Sequence, residues 1–488
     1  MVAVPDTVPP ADEPSTHEPS THEPSTHEPS THEASTHEAS THEATSDTPP
    51  SEPTASATAS ATASGRAPWW SKLGPGLITG AADDDPSGIA TYSQAGAQYG
   101  YAVGWTILVT FPLMVGIQLA SARIGRITGK GLTENFSKLC PRWLVVALVS
   151  LLVVANVINL GADLSAMGDA MHLAVGGSPG AFVVVMALLS LLLQIWLPYA
   201  RYVMLLKWLT LTLLAYVGVG FAAQADWVLA LKSLVMPTMH WDRDYTTTVV
   251  AILGTTISPY LFFWQASQEA EEIRRIDADR PLAVAPEQAT EQFRRLRTDT
   301  LVGMGFSNTI AFFMIVATAA ALHAHGVRDI ETTAQAAQAL KPVAGNFAFV
   351  LFAAGIVGTG FLALPVLAGS AAYAVATLAG VRRGLDRPAH SAKVFYAILS
   401  GAMLIGLAIS LSGFNPIKAL VWSAVVNAVI SVPIMIAVMV AASHRKIVGE
   451  LRLPPLWRVL GWLATAAMAA ATIAMIVLQA SSTFWGDR

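Results

Sequence analysis

Long apolar stretches separated by short polar segments dominate the chain from residue 73 onward. A helix needs about 20 apolar residues to cross the hydrocarbon core of a bilayer. The pattern therefore predicts an all-α membrane protein with eleven transmembrane helices. The eighth stretch is long and contains Pro365, so a tilt or kink is expected there. The predicted ranges are 73–99, 101–124, 143–168, 179–198, 202–223, 246–270, 299–323, 344–379, 394–413, 416–442 and 457–480.

The first 67 residues follow a different pattern. A five-residue unit, Ser-Thr-His-Glu followed by Pro or Ala, repeats from Ser15 to Ala44, and a Ser/Ala/Thr tract follows it. Such a sequence has too few apolar residues to form a core. We therefore predict a disordered cytoplasmic tail over residues 1–67 and a transmembrane domain over residues 68–488. The repeated histidines either gather divalent metal or belong to a spacer: His17, His22, His27, His32, His37 and His42.

The positive residues predict how the helices are oriented. Lysine and arginine accumulate in the loops that stay in the cytoplasm. If the N-terminus is cytoplasmic, all but six of the 29 lysines and arginines fall in cytoplasmic segments. We therefore expect a multi-pass protein of the inner (plasma) membrane with a cytoplasmic N-terminus and an external C-terminus. The exceptions are Lys232, Arg243, Arg328, Lys341, Lys418 and Arg488.

The overall composition agrees with a membrane protein. Only 13% of the residues are charged, whereas a soluble domain has about 25%. The net charge of −4 gives no basic excess, so no nucleic-acid partner is expected. The expected surroundings are therefore the lipid bilayer.

Two predicted spans are interrupted by proline beside polar residues. The first span carries DPSG at 85–88, and the sixth carries SPY at 258–260. Proline lacks an N–H group and clashes with the preceding turn, so each helix is expected to break there. Spans one and six are also the first members of two five-span halves with opposite orientation. Matched broken helices in inverted halves point to the substrate site of a transporter.

Asp85 is the principal candidate ligand at these breaks. A carboxylate at bilayer depth is costly unless it meets a cation. Asp83 and Asp84 lie directly before it, and on a helix the three cannot all point inward. At least one of the three is expected to face a water-filled vestibule or to carry a proton, because clustered carboxylates disfavour a second charge. The sequence thus predicts a cation site at Asp85.

Other oxygen atoms complete the candidate site. The two prolines would release backbone carbonyls near Ala82 and Thr255, Ser258 would add a hydroxyl, and Tyr260 would add a phenolic oxygen or a wall. Carboxylate, carbonyl and water ligands suit magnesium, calcium and manganese. Magnesium usually keeps several of its waters, which fits a site with one acid. Magnesium is therefore the favoured substrate and manganese the second.

Further polar residues lie within the spans. Asp163 is a candidate proton acceptor or site-shaping group, or else a member of an ion pair with Arg201. Asn308 and Asn427 either line the transport path or form hydrogen bonds between helices. Three glutamates at the end of span six are expected to form an exposed charged helix end, with a gating role as the alternative: Glu269, Glu271 and Glu272.

These motifs resemble those of the Nramp family of divalent-metal transporters. The resemblance runs in order over about residues 68–480 and implies a LeuT-like fold of two inverted five-helix repeats, with helices one and six broken. It is carried by Gly-Pro-Gly at 74–76, DPSG at 85–88, Gln-Ala-Gly-Ala at 94–97, Asp-Leu at 163–164 and Gly-Thr-Thr-Ile-Ser-Pro-Tyr at 254–260.

The chain departs from the family pattern at its metal site. Gly88 occupies the position of the family's metal-coordinating asparagine, Ser258 that of its methionine and Tyr260 that of its histidine. Beside Asp163, the family's glutamate is Ala166 here. The family's histidine and glutamate are linked to proton movement, so proton coupling stays open. A magnesium-carrying branch of Nramp-related proteins also lacks the methionine, and the present pattern is closest to that branch.

We therefore predict a secondary transporter that moves divalent metal cations, magnesium before manganese, by alternating access around Asp85. The alternative is sodium-coupled uptake of an amino acid or a similar solute, although Asp85 would repel a carboxylate substrate. A non-transporting sensor that works through its tail would lose its function when the tail is deleted. The spans contain no HExxH or GxSxG motif, so neither enzymatic activity nor a cofactor is expected. The metal is the transported substrate, and the sequence is compatible with a monomer.

Overall fold

The computed structural model describes residues 75–197, 211–276 and 278–485. All regular elements among these residues are helical. The predicted tail over residues 1–67 lies outside the described residues. The same holds for Arg201 and for residues 202–210 of the predicted fifth span.

Eighteen α-helices occur in the described residues, and we number them α1 to α18 in chain order. They are α1 Pro75–Asp83, α2 Pro86–Tyr99, α3 Trp105–Thr128, α4 Leu132–Phe136, α5 Arg142–Val175, α6 Pro179–Trp196, α7 Leu214–Ala222, α8 Trp227–Val235, α9 Arg243–Thr256, α10 Pro259–Arg275, α11 Ala289–Ala321, α12 Thr333–Gln338, α13 Lys341–Ala344, α14 Ala348–Leu378, α15 Lys393–Ser410, α16 Pro416–Ser443, α17 Arg445–Val448 and α18 Pro455–Trp485.

Nine helical segments among the described residues are long and apolar enough to cross a membrane. They correspond to all the predicted spans except the first and the fifth. The first is divided into α1 and α2, and neither part has the length of a span. The fifth is described only from residue 211 onward. The regular structure of the described residues is therefore all-helical, as expected of a membrane protein, and the count of eleven spans stays a prediction.

Both helix interruptions lie where the prolines predict them. Helix α1 ends at Asp83, and α2 begins at Pro86. Helix α9 ends at Thr256, and α10 begins at Pro259. In each case the proline occupies the first turn of the second helix, where its missing N–H would have no partner in any event.

Small residues bring the broken helices close to their neighbours. A Cβ atom on Gly80 of α1 would lie 2.2 Å from the carbonyl oxygen of Gly303 on α11. A Cβ atom on Gly254 of α9 would lie 2.0 Å from the carbonyl oxygen of Ala424 on α16. Membrane helices use small residues for such close approaches. The backbones at both breaks are therefore held against α11 and α16.

Segments that are predicted to share a side of the membrane meet at the same end of the bundle. At the end predicted to be cytoplasmic, Leu282 donates its backbone N–H to the carbonyl of Arg126 at 3.3 Å. At that end too, Glu134 pairs with Lys130 and, at 2.7 Å, with Arg383. Partial burial raises the pKa of Glu134, but these two cations outweigh it and hold the pKa below its ordinary value.

At the opposite end, the loop before α12 contacts α2 and the start of α16. Gln94 accepts a hydrogen bond from the backbone N–H of Ile330 at 2.8 Å, and Asn415 donates to the carbonyl of Glu331 at 2.8 Å. These contacts join segments that the positive-inside rule predicts to be external. The grouping of the loops therefore agrees with the predicted alternation of cytoplasmic and external loops. Which end of the bundle is cytoplasmic is assigned by the positive-inside rule alone.

Candidate metal site

Asp85 caps the helix that follows the first break. Its backbone is extended, with φ −68° and ψ 172°. Its Oδ1 atom accepts hydrogen bonds from the backbone N–H of Gly88 at 2.8 Å and from the hydroxyl of Ser87 at 2.7 Å. Aspartate is among the preferred residues at this position, because its oxygen satisfies a free N–H of the first turn. Gly88, which has no side chain to offer a metal, thus contributes a backbone donor.

The second carboxylate oxygen of Asp85 is held by two other helices. Asn159 of α5 donates its amide to Oδ2 at 3.0 Å, and the phenol of Tyr260 on α10 donates to the same oxygen at 3.1 Å. All four neighbours of the carboxylate are hydrogen-bond donors. Asp85 is 1% exposed, so the group is closed off from both sides of the bundle. These contacts suit an ionised carboxylate.

Tyr260 joins the two helix breaks. Its phenolic oxygen lies 3.1 Å from Asp85 Oδ2 and 3.4 Å from the carbonyl oxygen of Ala82. The carbonyl of Ala82 is one of those that the interruption before Pro86 was expected to release. Three of the predicted site residues therefore meet around one phenol.

Ser258 and Thr255 are oriented differently from each other. The hydroxyl of Ser258 lies 2.7 Å from the carbonyl oxygen of Gly254 and 2.8 Å from that of Thr255, so it satisfies carbonyls at the end of α9. The Thr255 hydroxyl oxygen faces the first break instead, 3.4 Å from that of Ser87. The hydroxyl oxygen of Thr255, rather than its carbonyl oxygen, therefore approaches the first helix break.

Helix α16 lines the site with three residues spaced four apart. Ser423 donates to the amide oxygen of Asn159 at 2.6 Å, and Ser431 donates to the carbonyl of Ile257 at 3.0 Å. Asn427 lies between them on the same helical face. It is 1% exposed, and neither its amide nitrogen nor its amide oxygen has a hydrogen-bond partner among the described residues. Asn427 is thus a buried amide free to bind something else.

Sequence reasoning missed Asn159, although it contacts Asp85 directly. Asn159 precedes Asp163 by four residues on α5, so the two share a face of that helix. This spacing is the signal that could have singled it out. Asp163 itself is fully buried, and neither of its carboxylate oxygens has a hydrogen-bond partner in the described part of the chain.

Asp83 and Asp84 turn away from Asp85 toward α11. The hydroxyl of Ser307 lies 2.6 Å from Asp83 Oδ2 and 3.1 Å from Asp84 Oδ1. Both carboxyl groups are buried, so neither faces a water-filled vestibule. The Ser307 hydroxyl has one hydrogen and can donate to only one of these two carboxylates. Its contact with the other is a hydrogen bond only when that second carboxyl group carries a proton and donates to the hydroxyl oxygen. The alternative of a protonated carboxyl therefore fits this arrangement.

Asn308 lies next to Ser307 but faces α3. Its amide nitrogen donates to the carbonyl of Ile107 at 3.0 Å, and Thr110 lies 3.5 Å from its amide oxygen. This is the arrangement of an amide that joins two membrane helices.

Two of the three glutamates at the end of α10 are buried, and for these two the expectation of an exposed helix end is wrong. Glu269 is fully buried and pairs with Arg295 of α11 at 3.2 Å. Glu271 is 1% exposed and accepts a hydrogen bond from Tyr373 of α14 at 2.5 Å. The charge run alone concealed these partners, because they come from helices distant in sequence.

A polar chain connects these glutamates with α1. Gln265 donates to Glu269 at 3.3 Å and accepts a hydrogen bond from Thr79 at 2.5 Å. Arg295 also holds Glu272 at 2.6 Å. These contacts link α1, ahead of the first break, with the end of α10 that is predicted to be cytoplasmic. Nowhere in the described residues do three His, Cys, Asp or Glu side chains converge as a ready-made metal cluster.

The chain is similar to known transporters in sequence and in fold. The divalent metal cation transporter MntH of Pectobacterium carotovorum is 28% identical over 368 residues, which cover 73% of this chain and 82% of the relative. That of Acidiphilium cryptum is 27% identical over 424 residues, or 82% of this chain and 89% of the relative.

Solved structures of low identity share the fold. The manganese transporter of Eremococcus coleocola superposes with a TM-score of 0.66 at 17% identity, covering 87% of this chain and 90% of its own. MhsT in complex with L-phenylalanine gives a TM-score of 0.52 at 16% identity, covering 83% of this chain and 98% of its own.

A family model settles the relationship. The model described as natural resistance-associated macrophage protein-like, or Nramp, matches residues 76–478. This range contains both helix breaks and the described spans from α2 to α16. The chain is therefore a multi-pass membrane protein that belongs to the Nramp family.

Proposed function

We propose that this chain is a secondary transporter, not an enzyme, that moves divalent metal cations across the plasma membrane by alternating access. The observation that carries the proposal is the Asp85 carboxylate, buried where two broken helices meet. A buried carboxylate in a broken helix is a typical cation site. The names of the MntH relatives point to the same class of substrate.

The ion would enter by displacing donors from Asp85. Tyr260 and Asn159 hold Oδ2 through side chains that can rotate, whereas Gly88 holds Oδ1 through the backbone. When a cation takes Oδ2, the phenolic oxygen of Tyr260 and the free amide oxygen of Asn427 become further ligands. Binding thereby exchanges contacts between α2, α5 and α10, which couples the ion to movement of the helices.

The ligand chemistry favours a hard ion. Asp85, Tyr260, Thr255, Asn427 and the carbonyl of Ala82 all offer oxygen, the ligand that suits magnesium and manganese. Methionine, which would favour softer ions, is absent from the break. We therefore propose magnesium as the preferred substrate, on ligand chemistry alone. Manganese is the second candidate, because the E. coleocola protein of the same fold is called a manganese transporter.

The architecture that we propose has eleven spans in two inverted halves of five, followed by one further helix. Helices α1–α2 and α9–α10 would be the matching first members of the halves. The N-terminus would be cytoplasmic and the C-terminus external, following the positive-inside rule. Asp163 is the proposed proton acceptor if transport is coupled to protons, because it is buried close to Asp85 and its carboxylate has no hydrogen-bond partner among the residues that the structure describes.

Sodium-coupled amino-acid uptake is not favoured. The likeness to MhsT extends to the fold, whose inverted repeats serve many substrates. An amino-acid carboxylate would meet the Asp85 carboxylate at the break, and the two like charges would repel each other.

The experiment measures ion influx into proteoliposomes that contain the purified full-length protein. Magnesium and manganese are compared at equal concentration, the pH of the lumen is followed in parallel, and sodium-driven leucine uptake is a separate arm. Empty liposomes and Asp85→Asn protein are the controls. We expect magnesium influx that exceeds manganese influx and disappears in the variant. Leucine uptake without metal influx would refute the proposal, and manganese influx above magnesium influx would refute the preference.

A further inference from the structure

Two buried arginines lie one turn apart on α3, and they have different partners. Arg126 is fully buried, forms an ion pair with Asp279 and lies 3.8 Å from Glu272. Arg123 is 9% exposed, yet no carboxylate of the described chain lies within ion-pair distance of it. A buried charge is normally paired. Arg123 therefore stands out as a cation without an anion.

The contacts of Arg123 fix its position without neutralising it. Its Nη2 atom donates to the carbonyls of Leu451 and Arg452, at 3.1 Å each. Its guanidinium lies over the ring of Phe293, 3.4 Å from the ring centroid. The Nε atom is buried and has no hydrogen-bond partner among the described residues. The guanidinium is thus held rigidly, with donor capacity left over.

Arg123 lines a cavity of about 320 Å³ between α3, α11 and the start of α18. Arg294 and Arg297, on neighbouring turns of α11, line the same cavity and are exposed. Neither forms an ion pair with a described residue. No acidic residue is among those that line the cavity. The site therefore presents three guanidinium groups, which match phosphate oxygens in geometry and charge.

Apart from Thr290, the rest of the wall is apolar. Leu119, Leu296 and Trp457 line the cavity beside Phe293. Helix α18, which begins at the cavity, exposes large apolar side chains such as Val459 along its length. Tryptophan is enriched at the level of the lipid headgroups. A molecule that combines a phosphate with acyl chains would satisfy both the arginines and this wall.

We propose that this cavity binds an anionic phospholipid through its headgroup phosphate. Arg123 lies at the base of the site, Arg294 and Arg297 lie at its mouth, and the acyl chains run along α18. Basic pockets between membrane helices are known to bind anionic headgroups. The site lies at the end of the bundle where the loops of α3 and α10 meet, so it reaches the headgroup layer on that side.

The test is a thermal-stability titration of the full-length protein in detergent micelles. Phosphatidylglycerol, phosphatidylcholine and inorganic phosphate are added in separate series, and the melting temperature is followed to saturation. We expect phosphatidylglycerol to raise the melting temperature and the other two to leave it nearly unchanged. This readout does not involve transport, so its outcome is independent of the proposed metal substrate.

Matched variants locate the effect. The double variant Arg294→Gln/Arg297→Gln changes the exposed mouth only, and we expect the apparent affinity for phosphatidylglycerol to fall about 30-fold, roughly fivefold for each cation. The control Arg280→Gln/Arg445→Gln removes two exposed positive charges at the same end outside the cavity and should bind as the unaltered protein does. Arg123→Gln tests the base of the site.

Three results would overturn the proposal. Equal stabilisation by phosphatidylcholine would mean that the cavity does not recognise the negative charge. Equal stabilisation by inorganic phosphate would identify a phosphate site rather than a lipid site. A mouth variant that binds phosphatidylglycerol as tightly as the control variant would place the lipid elsewhere, whether or not Arg123→Gln protein folds.

Discussion

Replacing Asp85 by asparagine separates its charge from its role in the fold. Asparagine caps helices about as well as aspartate. Its side-chain oxygen can keep the contacts that Ser87 and Gly88 make with Oδ1. Its new amide group faces Asn159 and Tyr260. A flip of the Asn159 amide lets its oxygen accept from the new amide group while its nitrogen donates to the hydroxyl of Ser423, and the phenolic oxygen of Tyr260 can accept as well. The variant should therefore fold like the unaltered protein.

The loss of charge should nevertheless abolish transport. A unit charge interacts with another at 4 Å by about 4 kcal/mol at an effective dielectric of 20. This corresponds to roughly three orders of magnitude in affinity for each unit of ionic charge. Asp85→Ala, in contrast, loses all four accepted hydrogen bonds. One of them, from the backbone N–H of Gly88, is the helix cap and contributes about 1 kcal/mol. Alanine should therefore lower both metal transport and stability, whereas asparagine should lower transport only.

The assay combines metal influx in proteoliposomes with the melting temperature of the same preparations. The expected result is that Asp85→Asn protein has the same melting temperature as the unaltered protein and shows no metal influx. Influx at the unaltered rate would refute it, because the ion would then not depend on this charge. A melting temperature as low as that of Asp85→Ala would show that the four donors require a carboxylate.

Three further changes test other parts of the structure. Ser258→Met places a thioether at the second break and should raise uptake of cadmium, a soft ion, relative to magnesium; a competition assay that shows an unchanged ratio would argue against a ligand position there. Gly80→Ala pushes a methyl group into the α11 backbone and should lower the free energy of unfolding by about 1–3 kcal/mol. The control Gly305→Ala, where the nearest atom lies 3.6 Å from the added Cβ, should leave the melting temperature unchanged. Glu134→Gln should lower the melting temperature at neutral pH. Because the folded-state pKa of Glu134 is depressed by its two cationic neighbours, its contribution is present above the ordinary pKa of 4.5 and is lost as the pH falls below it; a deficit that persists unchanged at pH 3 would contradict this explanation.

The breaks and their principal acid could be predicted from the sequence because their cause is local. Pro86 and Pro259 interrupt their helices through their own covalent geometry, and an aspartate beside such a break is conspicuous at bilayer depth. The second break likewise predicts Tyr260 at the site, but the contact of Asn159 with that aspartate could not be predicted in the same way. Asn159 and Tyr260 reach it from helices distant in sequence, and tertiary packing brings them together.

The charge run at the end of α10 failed as a guide for a related reason. Glu269 and Glu271 share their helix with arginines, and a solvated helix end explains such a run when only the local sequence is considered. Their burial depends on Arg295 and Tyr373, which α11 and α14 supply. Whether a charge is solvated or enclosed is decided by such distant partners.

The four hydrogen-bond donors around Asp85 have a consequence for the step in which the proposed carrier returns without an ion. An alternating carrier must close and turn back without cargo, and a bare negative charge would oppose that return in a low-dielectric interior. Here Ser87, Gly88, Asn159 and Tyr260 supply partial positive charge from every side. The protein thus provides its own substitute for the missing ion. In the alternating-access cycle that we propose, these donors lower the cost of the return step, because they stabilise the Asp85 carboxylate while no cation is bound.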